Sequence, residues 1–115
     1  MSQLFSITID EGTKTVEMTI RGTFTAQNYE EFIKDYVERT SFIDATQYLL
    51  VVDCRAMDLL TPGEVEKLQG SFRRYKETGF AKVIFIVTEL QSFIKMQLER
   101  VARSTALMNT EIIVR

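Results

Sequence analysis

The chain contains no histidine, one cysteine and one proline among its 115 residues. Without histidine no Ser-His or Cys-His dyad can form, because the usual general base is missing. One cysteine and no histidine cannot supply the ligands of an ordinary zinc site. Cys54 has no second thiol to bridge within the chain, which fits a reducing compartment. The five glycines, at positions 12, 22, 63, 70 and 79, are scattered and form neither a Walker loop nor a GxGxxG turn. No apolar stretch is long enough to span a bilayer, and none at the N-terminus reads as a signal peptide. With 14 basic and 16 acidic side chains, net −2, nothing marks a nucleic-acid binder. The expectation is a cytoplasmic, non-enzymatic domain with no cofactor and no resident metal. Carboxylate chemistry is the one catalytic class these absences leave open.

What is present suits an ordinary globular domain: 45% hydrophobic and 26% charged residues. A single domain over residues 1–115 can bury roughly two thirds of the surface its unfolded chain exposes, so neither metal nor disulfide is needed for folding. The charge is divided unevenly: residues 1–57 carry 5 basic and 9 acidic side chains, residues 58–115 carry 9 and 7.

Periodicity gives the element order. Residues 4–9 read as a strand, Glu11-Gly12-Thr13 as a turn, and residues 14–22 as a strand with Val16, Met18 and Ile20 on one face. That alternation predicts an antiparallel hairpin with one wet face. Tyr29, Phe32, Ile33, Tyr36 and Val37 recur at helical spacing, predicting an amphipathic helix over residues 27–40. Thr25 and Asn28 are its candidate caps, and Glu31 favours Asn28. Residues 48–52 form a continuous apolar run ending at Asp53, the pattern of a strand covered on both faces. The second helix opens at Thr61-Pro62-Gly63-Glu64, with Thr61 as N-cap, proline in the first turn and Glu64 closing a capping box. Its buried stripe is Val65, Leu68, Phe72 and Tyr75, and Gly79 stands where a left-handed C-terminal residue is needed. Residues 83–87 read as another doubly covered strand. A third helix from about Gln91 turns Leu90, Ile94, Leu98, Val101 and Thr105 inward, and residues 111–114 make the last strand. The order β-β-α-β-α-β-α-β predicts an α/β fold: one mixed, mostly parallel sheet of about five strands, the first antiparallel, with three helices.

In this order and spacing the chain resembles the STAS domain family of bacterial anti-sigma-factor antagonists. The resemblance is carried by Val16 to Gly22, Leu49 to Asp58, Gln69 to Gly79 and Val83 to Val87, and it spans nearly the whole chain. A second branch, the SpoIIAA-like proteins related in fold to CRAL-TRIO lipid-binding domains, is similar at residues 25–30 and at Thr61-Pro62-Gly63. The family implies a regulatory interaction module whose partner is an anti-sigma factor with kinase activity. Antagonists carry a phosphorylatable serine in an Asp-Ser-Ser-Gly turn opening the second helix. Here Asp58 matches the aspartate, the serines are missing, and Thr61 is the only hydroxyl at the helix start. The resemblance therefore implies a degenerate site with Thr61 as phosphate acceptor. It also implies a partner surface of Asp58, Thr61, Gly63, Glu64, Lys67, Gly70, Ser71 and Arg74. The second branch implies instead a lipid- or nucleotide-binding module.

Each candidate has a plainer reading. Thr61 is fully explained as a helix cap worth about 1 kcal/mol; phosphate there would sit on free N–H groups yet repel Asp58 and Glu64. Asp53, Asp58 and Glu64 are candidates to meet at the C-terminal edge of the sheet, either as Mg²⁺ ligands or as a solvated acidic rim. Cys54 beside Asp53 suits a small packed side chain better than a reactive thiolate. Gly70 on the outer face of helix two weakens the helix but lets a partner approach closely. Arg73, Arg74 and Lys76 line the outside of helix two, and Lys95, Arg100 and Arg103 decorate helix three. Phe93 and Met96 fall off its apolar stripe, and exposed apolar groups beside cations suit a protein or an anionic lipid surface; the alternative is a solvated face with Phe93 closing one end of the core. STAS domains usually carry a further helix after the last strand, and its absence predicts either a homodimer or a chain from which that helix has been cut.

Overall fold

The computed structural model describes residues 4–115. Its elements run β1 (Phe5–Asp10), β2 (Thr15–Gly22), α1 (Ala26–Thr40), a short 3₁₀ turn (Ala45–Gln47), β3 (Leu49–Met57), α2 (Pro62–Thr78), β4 (Lys82–Val87), α3 (Ser92–Ser104) and β5 (Thr110–Val114). The five strands form one sheet in the order β1-β2-β3-β4-β5. β1 is antiparallel to β2, and every other neighbour is parallel. The fold is α/β with one mixed sheet and three helices.

Strand order decides where the helices go. Each β-α-β unit steps one strand in the same direction, and right-handed crossovers then place all three helices on the same face. The core confirms this. Val16 and Met18 of β2, Leu50, Val52 and Cys54 of β3, and Val83, Phe85 and Val87 of β4 are buried together with Phe32, Tyr36, Phe72, Tyr75, Ile94, Leu98 and Val101 of the helices. The alternate residues Leu49, Val51 and Ile84 lie outside that cluster and are half-buried. The apolar runs of β3 and β4 are therefore covered on one face only, which corrects the double coverage their composition suggests. Both strands are short enough that periodicity cannot separate the two cases.

Local chemistry sets the helix ends. α1 begins at Ala26, one residue before its expected start, because Thr25 is the cap and Asn28 completes the box. The Asn28 N–H donates to Thr25 Oγ1 at 3.1 Å, and Asn28 Oδ1 accepts from the Thr25 N–H at 2.9 Å. Glu31 therefore plays no part in the cap. Val37, expected on the buried stripe, is about half exposed at the edge of that stripe. α2 starts and ends as its sequence dictates, with Thr61 at the N-cap and Gly79 at φ +82°. β3 runs past its apolar run to Met57, four residues beyond Asp53, because Thr19, Arg21 and Gly22 of β2 continue the parallel pairing across a register shift. An aromatic seam joins the layers: Phe72 of α2 stacks on Phe85 of β4 with ring centroids 4.8 Å apart. Such a pair contributes about 1 kcal/mol beyond its buried area.

Candidate functional site: the C-terminal edge of the sheet

The C-terminal ends of β2, β3 and β4 lead into three loops, over residues 23–25, 58–61 and 88–91, and side chains lace these together. The Asp58 N–H donates to the Gly22 carbonyl at 3.2 Å, and Thr23 Oγ1 donates to Asp58 Oδ2 at 2.8 Å. Gln91 is the main clasp. Its Nε2 faces the carbonyls of Cys54, Arg55 and Met57 at 3.0, 3.2 and 3.4 Å, while its Oε1 accepts from the Thr88 N–H at 2.8 Å. Gln97 Nε2 donates to the Leu60 carbonyl at 3.1 Å, and Gln97 Oε1 is buried without a partner.

On this laced platform stand four large apolar side chains in water: Leu59, Leu90, Phe93 and Met96, with exposures of 60, 96, 69 and 52%. Leu90 does not belong to the inward stripe of α3. The helix begins only at Ser92, and the loop before it carries Leu90 outward while Gln91 turns down to the carbonyls. Residue pattern alone pointed to Phe93 and Met96 but missed Leu59, Leu90 and both glutamines. The available signal was a leucine pair, Leu59-Leu60, in a loop with no strand or helix period, only one of which can be buried.

The expected binding residues divide into two groups. Asp58, Thr61, Gly63 and Arg74 are exposed. Glu64 folds back, its Oε1 accepting from the Thr61 N–H and the Thr61 hydroxyl, each at 2.9 Å. Lys67, Gly70 and Ser71 face inward. Lys67 Nζ donates to the Phe24 carbonyl at 3.2 Å, and Ser71 Oγ donates to the Lys67 carbonyl at 3.2 Å. Gly70 is not on the outer face of α2: a Cβ placed there would lie 2.6 Å from Tyr29 Oη, so its missing side chain lets α1, not a partner, approach. The carboxylates do not converge either. Asp53 lies on the far face of the sheet, clamped by the Arg55 guanidinium at 3.0 and 2.9 Å, a contact that holds its pKa below the ordinary value. Among the described residues no group of three His, Cys, Asp or Glu is placed to hold a metal ion.

Beneath the platform lies a cavity of about 60 Å³, walled by Phe24, Tyr29, Cys54, Met57, Leu68 and Tyr75. An apolar cavity of about 150 Å³ takes a single benzene, and this smaller one has no room for an acyl chain or a nucleotide. Cys54 borders it as a buried free thiol. Burial, and then the nearby Asp53 carboxylate, push its pKa up, which keeps it protonated and unreactive. Among the described residues no helix is long and apolar enough to cross a membrane. No family model matches the chain, and no curated protein matches it.

Proposed function

We propose that the chain is a non-enzymatic, STAS-like protein-interaction module that docks a protein partner through the C-terminal edge of its sheet. The observation that carries this reading is the set Leu59, Leu90, Phe93 and Met96, held out in water on two loops and the first turns of α3, which Gln91 and Gln97 tie to the carbonyls of β3 and Leu60. Rigidly presented apolar side chains lose little conformational entropy on contact, and a patch of this kind marks a protein interface. Asp58 and Thr61 in the loop before α2, and Gly63 in its first turn, are exposed, so this part of the partner surface implied by the family resemblance adjoins the apolar one. In that resemblance the partner is an anti-sigma factor with kinase activity, and Thr61 is its phosphate acceptor. A phosphate on Thr61 would displace Glu64, whose carboxylate now occupies the hydroxyl and the first N–H of the cap. The lipid- or nucleotide-binding alternative would need a site other than the cavity beneath the platform, which is too small for either ligand.

The test compares captured partners. Wild-type protein, Leu90→Ser/Phe93→Ser, and Phe42→Ser are each cross-linked in lysate; Phe42 is equally exposed but leads into β3 at the opposite end of the strands. The expected result is a protein bound by wild type and Phe42→Ser and lost with the double variant, all three having the same melting temperature. Capture that ignores the double variant would overturn the docking edge. Incubation of the captured partner with ATP, followed by intact mass, then reads Thr61 directly, with Thr61→Ala as the control.

A further inference from the structure

The two lateral edges of the sheet are built differently. β1 presents Ser6, Thr8 and Asp10 on the face away from the helices, the same polar surface that β2 continues with Thr15, Glu17 and Thr19. β5 is short, Thr110-Glu111-Ile112-Ile113-Val114, with an apolar second half, and among the described residues no strand lies beyond it. The Val83 N–H donates to the Asn109 carbonyl at 3.0 Å and the Arg115 N–H to the Val87 carbonyl at 2.8 Å. Alternation along a parallel strand therefore turns the backbone groups of residues 111 and 113 toward β4 and those of Thr110, Ile112 and Val114 away from the sheet. A strand with open backbone groups, apolar side chains, no proline and no bulge is a template for another strand.

We propose that the occupant of this edge is β5 of a second copy, giving a two-fold homodimer with an antiparallel β5–β5 seam centred on Ile113. This inference rests on the edge strand alone and not on the docking reading above. In that register Ile112 opposes the partner's Val114, and Val114 opposes the partner's Ile112. These are the residues whose backbone groups point outward, so they form the hydrogen-bonded pairs of an antiparallel ladder. On the open face Ile113, which lies beside Ile86 of β4, meets the partner's Ile113. Charge selects this register over its neighbours. Glu111 stands opposite the partner's Arg115 at both ends of the seam, the favourable arrangement for a cross-strand pair. Among the described residues the Arg115 side chain has no ion pair within its own chain, and Glu111 already holds Lys82 at 2.7 Å. The dimer thus sets each carboxylate between two cations. It also covers Val114, which is 42% exposed in the isolated chain although it lies on the helix side of the sheet.

Sedimentation velocity of the full chain over a concentration series tests this. The expected result is a monomer–dimer equilibrium. Val114→Pro deletes one outward N–H and leaves the ladder to β4 intact, and Arg115→Glu sets like charges opposite each other twice. Each should raise the dimer dissociation constant roughly tenfold or more. Glu111→Arg combined with Arg115→Glu should bring it back toward wild type, because the exchanged charges again oppose. Circular dichroism matching wild type shows that each variant is folded. A wild-type monomer at every concentration, a dimer indifferent to Val114→Pro, or a double exchange no tighter than the single one would each overturn the seam.

Discussion

The helix-covered and open faces of the sheet are made of nearly the same residue types and live in different environments. On β3 and β4 the covered face carries Leu50, Val52, Val83, Phe85 and Val87, all fully buried. One residue along each strand, the open face carries Leu49, Val51, Ile84 and Ile86, and of these only Ile86 is buried. Burial here is a property of topology, since successive side chains point to opposite faces. A strand order that steps always the same way sends every crossover to one side.

Substitutions across that divide should separate the faces by size of effect. Phe85→Ala removes a ring stacked on Phe72 in the core and should cost about 3–5 kcal/mol, read from the urea midpoint. Ile84→Ala, its immediate neighbour, should cost about 1 kcal/mol, since the open face lets the site fill with water. Equal losses would mean that the open face is covered after all.

Alkali should act on the covered face next. Burial raises the Tyr36 hydroxyl from 10.0 to about 12 and raises that of Tyr75 well above its ordinary value. A raised pKa means that the folded chain binds the proton more tightly than the unfolded one. The stability this gives is complete below about pH 10 and drains away as the pH climbs from there to about 12. Each tyrosine adds about 1.4 kcal/mol per pH unit to that slope. Tyr36→Phe should flatten the alkaline limb of a stability–pH curve and leave its neutral part less affected.

The smallest effect belongs to the open face. Arg55 holds Asp53 below its ordinary pKa, so the stabilisation is present at neutral pH and lost as the pH falls through the carboxylate range. The pair is solvent-screened, with side chains 47 and 25% exposed. Asp53→Asn should therefore shift the acid limb barely, and less than Tyr36→Phe shifts the alkaline one.

Most of the fold was legible because its signals are local. Thr61, Pro62, Glu64 and Gly79 bracket α2 at both ends, and the alternation of Val16, Met18 and Ile20 marks β2 before any contact is known. What failed to show was set by distance in the chain. Gly70 reads as an outward gap until Tyr29, 41 residues earlier, is seen to fill it. Leu90 reads as helix stripe because nothing in its neighbourhood reveals that Gln91 will be drawn to carbonyls of β3. Resemblance named Asp58, Thr61, Gly63 and Arg74, which lie exposed, and period named Phe93 and Met96, which stand in water. Leu59 and the glutamine clasp depend on how three loops meet, which no single segment encodes.

Cys54 turns the buried side of the sheet into a clock. It is the chain's one thiol, it is sealed under α2, and its raised pKa keeps it silent at neutral pH. A thiol reagent can reach it only when α2 lifts from the strands or the whole domain opens. The rate at which the unmodified protein takes up such a reagent therefore counts opening events, with no engineered probe. A partner seated on the edge formed by the 58–61 loop and α3 should slow that clock, and the slowing would report binding from inside the fold.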